Sequence, residues 1–298
     1  MTYHNPVLLN QSIDGLNIKP NGIYVDVTFG GGGHSKEILK KLENGFLYAF
    51  DQDLDALENS IDSENFKLIR SNFRFVKNFL KLEGVQKIDG LIADLGISSF
   101  QIDIPKRGFA HRFENNLDMR MNSDADLDAS DLLNSYSEKE IARILYEYGD
   151  IKQAKKIAKK IIKYRSIKKI ETTSQLKEIL EGFYPKKIEN KFLSKIFQAI
   201  RIEVNDEINA LKDLLSDVVD LMNKKGRLVV ISYHSLEDKL IKNLITKGNV
   251  DGIVEDDFFG NRKLLLKPIN KKVITASSFE CNDNSRARSA KLRIAEKI

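Results

Sequence analysis

The sequence predicts a Rossmann-like α/β fold with an all-helical domain inserted into it, and two observations carry that prediction. Early in the chain, apolar runs ending in glycine or aspartate alternate with helical stretches, the spacing of parallel strands joined by right-handed crossovers. From about residue 104 to residue 203 only helical periodicity is found, and the strand-helix rhythm then resumes.

Three strand-and-turn units open the chain: "GIYVDVTFG" stops at Gly30, "GFLYAFDQD" stops at Asp51 and "KIDGLIADLGISS" stops at Asp94. Between them, residues 35–42, 53–61 and 73–82 carry helical patterns. In the insertion, Ser137 with Glu140 and Thr172 with Gln175 stand at capping-box spacing before apolar runs. One long helix is expected over "FQAIRIEVNDEINALKDLLSDVVDLM", followed by a Lys-Lys-Gly turn at residues 224–226 and the strand "RLVVIS". A helix over "SLEDKLIKNLI" and strands near "LLLKPI" and "AKLRIAE" complete the sheet. The expected division is therefore 1–103 and 204–298 for the sheet domain and 104–203 for the helical one, the latter read as the substrate-recognition part.

Composition narrows the function classes. With 298 residues, 42% of them hydrophobic, the chain can bury a sizeable core. Charged residues make up 31%, and no apolar run approaches the roughly 20 residues that cross a bilayer. No secretory leader is visible in "MTYHNPVLLN", so a soluble, cytoplasmic protein is expected. A single cysteine, Cys281, excludes a disulfide framework, and the four histidines form no metal-ligand motif, so no metal is expected. Net charge is only +5, so where the charge sits matters more than its sum.

The stretch "VDVTFGGGGHSKEIL" runs a strand into four glycines and then a helix, placing outward-pointing helix amides where a ligand can approach them. An NTPase loop requires Lys-Ser or Lys-Thr after the last glycine, whereas His34 and Ser35 follow here. The strict dinucleotide pattern requires a glycine at position 35, which weakens a nicotinamide cofactor. The spacing Asp26, Thr28, Gly30, Gly32 resembles the acidic-x-x-x-GxG loop of S-adenosylmethionine-dependent methyltransferases of the Rossmann-like class (class I). Asp51 closes the second strand, where a carboxylate can accept ribose hydroxyls, and Asp94 closes the third. Taken singly, the glycines could serve only a tight turn and the two acids could merely cap helices.

Further along, "DLGISS", "RGFAHRFENNLDMRMN", "FQAIRIEVNDE", "GRLVVISYHSLEDKLIK" and "SRARSAKLRIAE", in this order after "HNPVLL" and "TFGGGGHS", closely resemble the bacterial 16S ribosomal RNA cytosine-N4 methyltransferase family, known as RsmH or MraW. The similarity covers nearly the whole chain. It implies methylation of the exocyclic amine of a cytosine in the decoding region of the small-subunit RNA, with S-adenosylmethionine as cofactor and 16S RNA or the small ribosomal subunit as partner. The cofactor contacts it implies are Gly32, Gly33, His34, Asp51, Phe73, Asp94 and Gln101. The chain departs from the family pattern at Gly31, where an arginine is usual, at Phe100 and Ser285 in place of prolines, and at Asn122 in place of an aspartate.

Transfer of a methyl group to nitrogen is an in-line displacement in which positioning does most of the work. The amine must then lose a proton, and the candidates to receive it are Asp94, Ser98 in the turn after it, and His234 in "YHSLED". Methylation at ring carbon instead needs a cysteine nucleophile, and Cys281 is badly placed for one. RNA contact is expected from Arg286, Arg288 and Arg293 near the C-terminus and from Arg107, Arg112 and Arg120 beside the insertion, because arginine suits phosphate recognition and base stacking. The lysine-rich face of "IKQAKKIAKKIIKYR" reads first as a solvated face, with direct RNA contact as its alternative. An RNA-binding ribosome-assembly protein on a methyltransferase scaffold is the alternative reading, and a nicotinamide-dependent oxidoreductase the third.

Overall fold

A computed structural model describes residues 6–254 and 264–298; His4 and Asn5 of the "HNPVLL" motif lie outside the described residues. The chain divides into two compact units, one made of Met1–Gly96 with Ile208–Ile298 and the other of Ile97–Glu207. By contacts, the helical unit thus begins before residue 104 and ends after residue 203, because the short helix Ser99–Asp103 and the end of a long helix fall within it.

In the first unit the strands are β1 (Ile23–Asp26), β2 (Phe46–Asp51), β3 (Phe66–Arg70), β4 (Ile88–Asp94), β5 (Met222–Ser232), β6 (Leu266–Pro268) and β7 (Lys291–Lys297). They form a seven-stranded sheet in the order β3-β2-β1-β4-β5-β7-β6. The pairs from β3 through β5 are parallel, and β7 runs antiparallel to both β5 and β6. The chain leaves β1 for β2 and β3 and then returns to the other side of β1 as β4. The carboxyl ends of β1 and β4 therefore meet at a topological switch point, where ligands bind in open α/β sheets.

Consecutive residues of the central strands fall in different apolar clusters, as the period of two demands. Val25, Leu91 and Val230 pack with Leu211, Leu214 and Val218, whereas Tyr24, Ile92 and Val229 pack with Ile13, Leu16 and Ile38. Both faces of the sheet are thus covered by helices. These are α1 (Leu9–Leu16), α2 (Gly33–Leu39), α3 (Val76–Leu82) and, after the insertion, a long helix ending at Leu221, then Ser235–Lys247 and Ser278–Asp283.

The helical unit contains α4 (Ser99–Asp103), α5 (Ala129–Ser135), α6 (Glu138–Glu147), α7 (Ala154–Arg165), α8 (Thr173–Leu180) and α9 (Glu189–Val204). Both expected capping boxes, Ser137 with Glu140 and Thr172 with Gln175, are formed. Its own core gathers Leu132, Ile144, Ile157, Ile161, Leu176 and Ile196.

Four local expectations change. Strand β3 was not read from the sequence, because only Ile69 of "FKLIR" is buried on this edge strand and the alternation is weak. Residues 53–61 form a 3-10 turn over Leu54–Asn59, capped by Asp53, in place of an α-helix, and another such turn, Phe73–Phe75, precedes α3. The expected single long helix is two, α9 and α10 (Glu207–Leu221). They part where the Asn205 amide donates to the Met119 carbonyl at 2.8 Å and Asp206 takes a left-handed φ of 49°. The Lys-Lys-Gly turn lies inside β5, with Lys225 at φ 64° and a register irregularity opposite between Ile88 and Gly90. The helices after β5 are α11 (Ser235–Lys247) and α12 (Ser278–Asp283). Among the described residues, no helix is long and apolar enough to cross a membrane.

Candidate active site

The turn between β1 and α2 is built by two left-handed glycines. Gly30 has φ 51° and Gly32 φ 73°, while Gly31 lies outside that region. A Cβ on Gly32 also meets the Phe29 ring at 2.8 Å, and one on Gly33 runs into the Pro6 ring. Gly32 and Gly33 are therefore demanded by the protein's own packing, and Gly31 by neither backbone strain nor handedness. This agrees with the arginine that the resembling family usually has there.

Three aspartates brace this turn from below. Asp26, 1% exposed, accepts the Ser35 hydroxyl at 2.6 Å and the Thr28 N–H at 3.1 Å. Burial pushes its carboxyl up from the ordinary range. Asp51, at the end of β2, accepts the Gly30 N–H at 2.8 Å on one oxygen and the Asp53 N–H at 2.9 Å on the other. At the end of β4, the Asp94 N–H donates to the Thr28 hydroxyl at 2.6 Å, and its side chain accepts the Tyr233 hydroxyl at 2.7 Å. Burial raises both Asp51 and Asp94 to about 6, against backbone N–H donors at Asp51 and against His34 and Tyr233 at Asp94. Each carboxylate keeps lone pairs beyond these bonds.

His34 stands buried in the first turn of α2, with Nε2 3.3 Å from the Val7 carbonyl, and burial lowers its pKa. Phe73 opens its 3-10 turn half-buried against the core, beside Asn72, which donates to Gln52 at 2.9 Å. His234 is the N-cap of α11: its Nδ1 accepts the Glu237 N–H at 3.4 Å, and Glu237 reaches back to the His234 N–H. The first-turn acid Glu237 is thus a buried brace, and it also accepts the Tyr233 N–H at 2.9 Å.

The first unit brings together the glycine turn, His34, Asp51 and Asp94, and adds Tyr233, which sequence reasoning passed over. The available signal was its place directly after the β5 strand, on the same carboxyl rim as Asp94. Ser98 and Gln101 belong to the helical unit, where they close a capping box at the start of α4, with Ser98 Oγ accepting the Gln101 N–H at 3.1 Å.

The arginines fall into two groups. Arg120 grips both oxygens of Asp118 at 2.9 and 2.8 Å and the Ala125 carbonyl at 2.7 Å, and Arg107 donates to the Arg120 carbonyl at 2.9 Å. Arg293 similarly forms two bonds to Asp238, at 2.7 and 3.2 Å. These three hold their own loops and strands together. Arg112 is more exposed, over the Phe113 ring and 2.9 Å from Asp103. Arg288 is exposed and Arg286 half-buried in a turn capped by Asn284.

The whole chain, residues 1–298, matches the profile of the MraW methylase family. The chain belongs to that family. The small-subunit ribosomal RNA methyltransferase H of Flavobacterium johnsoniae is 52% identical, covering 100% of this chain and 99% of its own. The protein of the same name from Phocaeicola vulgatus is 51% identical over 99% and 97%. An rRNA methylase of solved structure from Streptococcus thermophilus overlays with a TM-score of 0.44 at 12% identity, covering 97% of this chain and 95% of that one. For this MraW-family chain the rim of β1, β2 and β4 is therefore the candidate active site.

Two outcomes test the geometry. Gly32→Val, forced into a left-handed φ against the Phe29 ring, is expected to lower stability by about 2 kcal/mol or more in denaturant unfolding, whereas Gly31→Ala leaves it within about 0.5 kcal/mol. The second concerns Asp94. Because its folded pKa lies above that of a free aspartate, near 4, folding favours its protonated form. The associated stability is present below about pH 4 and is lost as pH rises through about 6. Asp94→Asn keeps an acceptor for Tyr233 and carries no charge. Its melting temperature without ligand is expected to gain on the parent's steadily between those limits; a pH-independent difference contradicts the assignment.

Proposed function

We propose that this MraW-family methylase uses S-adenosylmethionine to methylate the exocyclic N4 amine of a cytosine in the decoding region of 16S ribosomal RNA. The observation that carries the cofactor part is the donor set at the switch point: two carboxylates, Asp51 and Asp94, flank a glycine turn that holds no lysine. That set suits ribose hydroxyls and a cationic sulfonium and repels a polyphosphate. The names of the close relatives support small-subunit RNA as the substrate. The N4 position rests on the motif resemblance and on the unsuitable place of Cys281.

When bound, S-adenosylmethionine supplies an electrophilic methyl group. The residues of the chain do the rest. Asp51, fixed by two backbone N–H bonds, accepts the ribose hydroxyls with its remaining lone pairs, and Phe73 covers the adenine. Gly32, Gly33 and His34 line the cofactor with backbone, and Gln101 serves its methionine end or the target base. Asp94, ionised above about pH 6 and steadied by Tyr233, receives the proton that the amine must shed. Ser98 and His234 are further candidates for handling that proton. The base must leave its stack to present its Watson–Crick edge. Arg112, Arg286 and Arg288 are proposed as RNA contacts, and Arg107, Arg120 and Arg293 act on RNA by holding the surfaces that carry them.

Isothermal titration of S-adenosylmethionine together with radiolabelled methyl transfer to small ribosomal subunits tests this reading. The parent chain is expected to bind and transfer; Asp51→Ala is expected to weaken binding at least roughly tenfold, the loss of charge-assisted hydrogen bonds of about 1.5–3 kcal/mol. A folded parent that binds no cofactor, or an Asp51→Ala variant with full affinity, contradicts it.

A further inference from the structure

Helix α7 concentrates positive charge that no ion pair among the described residues balances. From residue 151 to residue 169 the chain has no Asp or Glu. Lys152, Lys155, Lys156, Lys159 and Lys163 are exposed, and among the described residues no ion pair reaches any of them. Lys160 alone is occupied, donating to the Glu181 carbonyl at 3.0 Å and lying over the Phe183 ring. Three exposed lysines elsewhere do sit in ion pairs: Lys40 with Glu37 at 2.6 Å, Lys67 with Glu83 at 2.7 Å and Lys77 with Asp217 at 2.7 Å.

The arrangement works against the helix itself. Lys155 and Lys159, Lys156 and Lys160, and Lys159 and Lys163 are like charges four residues apart on the helix, which repel. Lys155 and Lys156 sit in the first turn, at the positive end of the helix dipole, and Gln153 provides no side-chain cap there. The helix survives because Ala154, Ile157, Ala158 and Ile161 are buried in the core of the helical unit. A polyanion laid along the exposed side removes the repulsion. Since the apolar side is already buried, nothing remains to insert into a lipid surface, and a nucleic-acid backbone is the better complement.

We infer that the lysine face of α7 is a docking surface for the phosphodiester backbone of the RNA substrate, independent of sequence and taking no part in the chemistry at the base. The inference rests on the reading of the chain as an RNA methylase and assigns a contact surface that reading does not use.

The test measures binding of a fluorescent 16S RNA transcript to the full chain across roughly 50 to 200 mM salt. A variant carrying Lys155→Gln, Lys156→Gln, Lys159→Gln and Lys163→Gln is compared with a control carrying Lys41→Gln, Lys81→Gln, Lys239→Gln and Lys242→Gln. Removing like charges does not endanger the fold, and a thermal melt and a cofactor titration check that both variants are intact. The α7 variant is expected to lower the slope of log affinity against log salt by about 2 to 3 and to bind at least about tenfold more weakly, with the control close to the parent. An unchanged slope, or an equal change in the control, overturns the inference. So does loss of binding to phosphatidylserine vesicles with RNA binding intact. Methyl transfer by the parent chain is scored separately: transfer with an unchanged α7 slope sinks this inference alone, and a changed slope without transfer sinks only the methylase reading.

Discussion

The Asp51 carboxylate holding the Gly30 N–H at 2.8 Å is the contact on which the candidate site depends. It fixes the first left-handed glycine after β1 to the end of β2, and the Asp94 N–H to the Thr28 hydroxyl, at 2.6 Å, fixes the same turn to the end of β4. Three neighbouring strands thereby share one rigid rim. The backbone there cannot carry a side chain at Gly32, because the Phe29 ring occupies that space.

That rim is electrostatically costly. Asp26, Asp51 and Asp94 are all raised by burial, and the charge of Asp26 raises the other two further. Of the charges acting on them, only that of His34, next to the glycine turn, works against this, and only at Asp94. Burial that holds two carboxylates near 6 is the kind of perturbed titration expected at active sites. Fixed carboxylates of this kind act by position: Tyr233 spends one oxygen of Asp94, and the direction left to the other is set by the strand.

Much of this was legible from the residue order. Apolar runs ending at Gly30, Asp51 and Asp94 gave the parallel strands, and the capping boxes at Ser137 and Thr172 gave helix starts, because both signals are local. What stayed hidden depends on partners far along the chain. Tyr233 and Asp94 are separated by 139 positions, and Arg293 and Asp238 by 55. No local pattern told a bidentate structural arginine from one facing solvent. Edge strand β3 lacked the burial that makes a strand recognisable, and the break at Asn205 arises from its amide turning to the Met119 carbonyl. The four glycines were visible, but their separate reasons were not: Phe29 and Pro6 decide two of them.

The atom that receives the methyl group decides between N4 and ring-carbon chemistry. Purified small ribosomal subunits lacking the modification, incubated with this protein and methyl-labelled S-adenosylmethionine, can be digested to nucleosides and resolved by mass spectrometry against standards. Label is expected in a single cytidine methylated at N4, mapped to the decoding region. Label at the ring carbon of cytidine, or in another base, contradicts the proposed function.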